Sequence, residues 1–175
     1  MKNIGKILII ILLLQLSGHA VAQDIEQRFP PQQVEKILAL AFENKSIRYT
    51  SFATQFNFCQ QKPKHSECGE PYQVKRSNYQ IAKGNHDVLE QVYHQEMRAL
   101  VMPEMAYPDL VTSLRELAYL EQKPQADLLY KDTLHAVNDW LAIHDMPQTT
   151  EVYFLHALMI KAEALNQQIR DEETF

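Results

Sequence analysis

The chain has 175 residues, 46% of them hydrophobic, with only 4 glycines and a formal net charge of −5. That length fits one domain large enough to bury roughly 70% of its unfolded surface. The few glycines disfavour a turn-rich all-β fold, and the acidic balance argues against nucleic acid or an anionic membrane face as the main partner.

Lys2 and Lys6 flank the start of an unbroken apolar run, Ile7 to Leu14, and Ala20-Val21-Ala22 follows. This is the layout of a secretory signal peptide (residues 1–22), with cleavage expected after Ala22. The run is shorter than the about 20 apolar residues that span a bilayer, so no stable membrane anchor is expected after cleavage. The expected location is the periplasm or the medium, and the mature chain, 23–175, is expected to be a single helical domain. Export to an oxidising compartment predicts a disulfide between Cys59 and Cys68. The rival, a metal held by Cys59, His65 and Cys68, lacks the short Cys-x2-4-Cys knuckle of zinc sites.

Pro30-Pro31 opens the first predicted helix, since proline fits a first turn whose N–H groups are unpaired anyway. Val34, Ile37, Leu38, Ala41 and Phe42 make its stripe. Asn44-Lys45-Ser46 reads as a break before a second, aromatic helix with Tyr49, Phe52, Ala53 and Phe56. Residues 60–71 read as a charged, proline- and glycine-bearing loop. A short helix follows from Tyr72 to Ala82, with Val74, Asn78, Ile81 and Ala82 inward. Lys83-Gly84-Asn85 is expected to end it, with Asn85 capping a helix whose stripe is Leu89, Val92, Tyr93, Met97 and Leu100. Pro103 and Pro108 bracket a turn. The next helix carries Leu110 to Leu120, and another starts at Pro124 with Ala126, Leu129, Tyr130, Leu134, Val137 and Leu141 inward and Trp140 at its edge. After a turn at residues 144–147, Thr149 or Thr150 is expected to cap a last helix running toward Arg170. About seven helices result, so the fold class is all-α.

Helix starts recur with proline at Pro31, Pro71, Pro108 and Pro147, at intervals of roughly 37–40 residues, a period typical of stacked helical hairpins. Pro108 to Ala118, followed by Ala126 to Leu134, resembles a tetratricopeptide repeat of the kinesin-light-chain type. The shared pattern is a proline-started first helix ending in Leu-Ala and an Ala-x-x-Leu-Tyr second helix. The resemblance implies a short α-solenoid, best formed over 108–170; the alternative is an irregular helical bundle. Thr133 stands where that family has a small residue, Arg115-Glu116 where it often has asparagines, and His156 where a leucine is expected. Groove-type peptide binding is therefore not carried over onto Arg115 and Glu116.

No catalytic set is evident, and no cofactor is implied. His86, Glu90 and His94 share one flank of a helix and are weak metal-ligand candidates. His135 and Asp139 form an i, i+4 pair without a nucleophile nearby. The last helix is more informative. Val152, Leu155, Met159 and Ala162 form one stripe; Phe154, Leu158 and Leu165 form another. A helix apolar on two sides is either buried on both or meets a partner. The leading expectation is therefore an exported helical-repeat protein that binds another protein as an adaptor or assembly factor, with a homodimer also possible. An inhibitor or immunity-type protein would instead use the disulfide loop, with Lys62 and His65. A metal-dependent enzyme using the His86 flank is the third reading.

Overall fold

A computed structural model of the chain describes residues 25–104, 107–121 and 129–173; the expected signal peptide, Pro124 and Ala126 lie outside them. The fold is all-α. Its helices are α1 (Pro31–Gln61), α2 (Glu70–His94), α3 (Pro108–Glu116), α4 (Tyr130–Ile143) and α5 (Phe154–Glu173). Two 3-10 turns, Ser66–Cys68 and Glu96–Ala99, follow α1 and α2. Among the described residues the only extended pairing is a bridge between Val101 and Tyr153. There Met102 N–H donates to the Val152 carbonyl and Phe154 N–H to the Leu100 carbonyl, pinning the start of α5 to the chain that follows α2.

The last helix is the hub. α1 and α2 pack as an antiparallel hairpin, and α5 lies against α1, α2 and α3 together. Leu155, Met159, Ile160 and Ala162 are buried on it, among Val34, Ile37, Leu89, Leu114, Val137 and Leu141 from the other helices. This is the internal coverage that a helix apolar on two sides requires. The proline period marks real starts at Pro31 and Pro108, which open α1 and α3, and Pro71 is the second residue of α2. Pro147 begins no helix. A stack of sequential hairpins would join each helix only to its neighbours. The packing of α1 on α5 is a closing contact, and it matches the irregular bundle held as the alternative.

Both breaks expected in the first half are absent, and the reason is shared. Asn44 lies inside α1 and Asn85 inside α2. Both side chains are buried, and each donates to a carbonyl of α5: Asn44 to Ala162 at 2.8 Å, Asn85 to Leu158 at 3.0 Å. Asn166 Nδ2 in turn donates to Asn44 Oδ1 at 2.9 Å. Asparagine weakens an isolated helix because its side chain competes for nearby backbone. Here the side chain is occupied across the interface, so α1 and α2 run through unbroken.

Other expectations are corrected. α3 stops at Glu116, not Leu120, because Ala118 adopts a left-handed φ of 62° and Tyr119 N–H closes back onto the Leu114 carbonyl at 2.8 Å. Leu129 is exposed and precedes α4, with its N–H held by the Asp132 carboxylate at 3.0 Å. Trp140 is fully buried and not at an edge. Thr149 bonds within the segment before α5 and does not cap it. Phe42, Val74, Ile81, Met97 and Leu100, all expected to point inward, are exposed.

Beyond Arg48 and before Ala82 the α1–α2 hairpin has one buried residue, the polar Gln55. Gln55 donates to the Glu67 carbonyl and accepts from Lys75, both at 2.9 Å. Phe52 stacks on Tyr79 and also meets Tyr72 and Phe56. The Cys59–Cys68 disulfide closes the tip, with the Cα atoms 5.5 Å apart. Loop-closure entropy for so small a ring is worth about 2.5–3 kcal/mol. Cys59→Ser with Cys68→Ser is therefore expected to lower stability by about that amount. Because the tip has so little core, the earliest loss should appear as faster amide exchange over residues 49–81, the reverse of a uniform change.

Candidate protein-binding groove

A hollow of about 470 Å³ lies along the exposed edge of α5, between α2 and α3. Its floor is Phe154, Ala157, Leu158 and Lys161 of α5. One wall is α2, with Ile81, Gly84, Asn85 and Val88; the other is the start of α3, with Tyr107 and Leu110. The α5 residues fall one helical turn apart, so a single stripe of the helix makes the floor. Ile81 and Val88 are 43% and 37% exposed, and both face this hollow. A smaller hollow continues it past Lys161 to Ala164, Leu165 and Gln168.

Gly84 opens the α2 wall. A Cβ built there would meet nothing within 4 Å. Glycine inside a helix costs up to about 1 kcal/mol relative to alanine. Gly84→Ala is therefore expected to stabilise the protein by about 0.5–1 kcal/mol in urea unfolding. A destabilised variant would show that the backbone at Gly84 needs the freedom of glycine.

α3 is laced to α5 along the groove. Lys161 pairs with Asp109 at 3.3 Å, and Gln168 donates to Glu116 at 2.9 Å. Asn85 is 95% buried beneath the floor, and its Oδ1 has no donor among the described residues. The hollow offers apolar surface with a charged rim of Asp109 and Lys161.

The structure brings some of the expected site residues together and scatters others. Phe154, half buried, and Leu158 meet in the groove, and Leu165 lines its continuation. Leu158 is only 9% exposed, however, and belongs to the core as much as to the surface. Lys62 and His65 sit at the hairpin tip, outside the groove, where Lys62 lies over the Phe58 ring and His65 meets that ring edge-on. The His86 flank does not assemble. His86 is buried against Phe42, with Nδ1 3.0 Å from Asp87 and 3.3 Å from Lys45, while Glu90 and His94 are exposed. Among the described residues no three His, Cys, Asp or Glu side chains gather as a metal site. Hydrogen bonds from Lys83, then His86 and Lys45, hold the Asp87 carboxyl well below its ordinary range. His135 and Asp139 form an exposed 2.9 Å pair on α4.

Ile81, Gly84, Val88 and Tyr107 were missed as site residues. The seven-residue spacing of Val74, Ile81 and Val88 was the available signal, hidden by the apparent break at Gly84-Asn85. No helix among the described residues is long and apolar enough to cross a membrane. No family model, curated protein or solved structure matches the chain.

Proposed function

We propose that this is an exported protein that binds another protein, as an adaptor or assembly factor, and that the partner docks in the groove between α2, α3 and α5. The observation that supports this reading is the groove itself: Ile81 and Val88 stay open to solvent opposite Phe154, although the apolar face of α5 with Leu155, Met159, Ile160 and Ala162 is covered by the fold. Contiguous exposed apolar surface with a polar rim is the usual mark of a docking site. Aspartate at Ile81 or Phe154 should abolish capture of a partner by the tagged protein in its native compartment, with the helical signal and Tm kept. Leu158 is a poor target because its burial would make a substitution test folding. Capture that survives both Ile81→Asp and Phe154→Asp would refute the groove.

A second reading keeps the inhibitor or immunity role and places binding at the hairpin tip. The projecting, disulfide-closed tip, with Lys62 and His65 exposed, favours it. Loss of capture on substituting Lys62 and His65, with Ile81→Asp harmless, would select this reading over the first.

A further inference from the structure

Two helices line the groove in one register. On α5 the lining side chains include Phe154, Leu158, Lys161, Leu165, Gln168 and Glu172, separated alternately by four and three residues, with Ala157 and Ala164 between them. On α2 they include Val74, Asn78, Ile81, Asn85 and Val88, again four and three apart. The two helices run antiparallel: Asn85 meets Leu158, and Val74 shares its hollow with Glu172. A 3.5-residue period keeps one seam of a helix turned toward a partner helix along its length. α5 does not close the α2 seam, since Val74, Ile81 and Val88 all remain exposed. The open α2 seam, beside the α5 stripe that floors the hollow, leaves room for a third helix.

We propose that the groove holds an amphipathic α-helix of another protein, with apolar residues at alternating three- and four-residue spacing and basic flanks. This rests on the protein-binding reading above and names the partner's chemistry. The seam from Val74 to Val88 is about 21 Å long, the rise of about four helical turns. An extended peptide would gain little here, because both walls are helices whose backbone groups are already paired, and strand addition needs an open sheet edge.

The charge of the occupant follows from the rim. Of the bases lining the seam, Lys161 is paired with Asp109 and Arg48 with Glu172, while Lys75 donates to the neutral Gln55 and keeps its charge, one cation against two open carboxylates. The carboxylates of Glu70 and Glu116 have no cation partner among the described residues. A second copy would bring a like-charged rim to this one, in a chain of net charge −5. Like charges across an interface disfavour that pairing, whereas basic flanks complement it.

The test uses three fluorescent synthetic peptides of about 18 residues, titrated with the protein and followed by anisotropy. One has a leucine seam at three–four spacing with lysine and arginine flanks. The second has the same seam with glutamate flanks; the third is the basic peptide with its seam scrambled. The basic helix should bind saturably at micromolar concentration, at least about tenfold more tightly than either control. Ile81→Asp and Gly84→Trp should each weaken it about tenfold or more. Both positions are open, so the fold should survive, and an unchanged Tm checks this; if Ile81→Asp lowers Tm, Gly84→Trp alone decides. Equal binding of the scrambled or acidic peptide, no saturable binding, or indifference to the deciding variants overturns the proposal. So does a dimer that Ile81→Asp dissolves, which would make a second copy the occupant. If Phe154-dependent capture of a native partner persists while no peptide binds, the helix proposal fails and the protein-binding function stands; if both are absent, both fail.

Discussion

Replacing His156 with leucine should raise the stability of the protein at neutral pH and make it much less sensitive to acid. The imidazole is wholly buried, between Phe29 at 5.0 Å and Tyr153 at 5.4 Å. Neither ring nitrogen has a hydrogen-bond partner among the described residues. A buried polar group left unpaired costs about 1–3 kcal/mol, which leucine removes. Burial, and then the charge of Arg28, push the His156 pKa down from 6.5 to about 3. Above pH 6.5 the ring is neutral whether the chain is folded or not, so titration contributes nothing there. Between pH 6.5 and about 3 the unfolded chain takes up a proton that the folded chain refuses, so stability falls with pH. The full drop is on the order of 4–5 kcal/mol. Urea unfolding at pH 7 and pH 4.5 measures both parts. A His156→Leu protein no more stable than the parent at either pH would mean that the ring nitrogens are satisfied in solution.

Trp140→Ala should be among the most damaging single changes, at about 3–5 kcal/mol. The indole is fully buried, stacks on His144 at 4.1 Å, and donates from Nε1 to the Glu163 carboxylate. Trp140→Phe keeps one six-membered ring and loses that bond and part of the volume, so it should cost less. A matched loss in both variants, read by circular dichroism during thermal unfolding, would show that the hydrogen bond and not packing holds the site.

His144 and Glu163 give this site its own pH response. His144 Nε2 lies 3.1 Å from Glu163, and its Nδ1 lies 2.8 Å from the Trp140 carbonyl. Burial lowers the His144 pKa, but the bonds to Glu163 and the Trp140 carbonyl, and nearby negative charge, more than offset it. The net shift is upward, so the stabilisation is complete below pH 6.5 and fades as pH rises through the folded value. Glu163 is raised by burial and lowered further by His144 and Trp140; its contribution is present above pH 4.5 and fades in acid. His156 therefore costs stability below pH 6.5 and His144 loses its contribution above it, so the two windows adjoin without overlapping. In His156→Leu the His144 response should be left alone, giving highest stability on the mildly acidic side.

The sequence carried the all-α class, the proline-marked starts of α1, α2 and α3 and the two-sided character of α5, because each rests on local spacing, and the disulfide, because the chain has only two cysteines. It misplaced what depends on distant partners. Asn44 and Asn85 look like helix breakers until the α5 carbonyls that occupy them are known. Trp140 has a polar atom that needs a partner, and Glu163 supplies it from another helix. Ala118 ends α3 in a left-handed turn without a glycine to announce it. Half of the groove was legible in Phe154, Leu158 and Leu165; its other wall was split in two by the apparent break at Gly84.

The closing contact between α1 and α5 also sets a timetable. Asn44 is bonded to residues 118 and 122 positions further on, and Arg48 to Glu172, 124 positions on. Such long closures form late and slow the acquisition of structure. A chain that emerges N-terminus first can form the α1–α2 hairpin early, but the α5 groups that Asn44, Arg48 and Asn85 bond to follow it in the sequence.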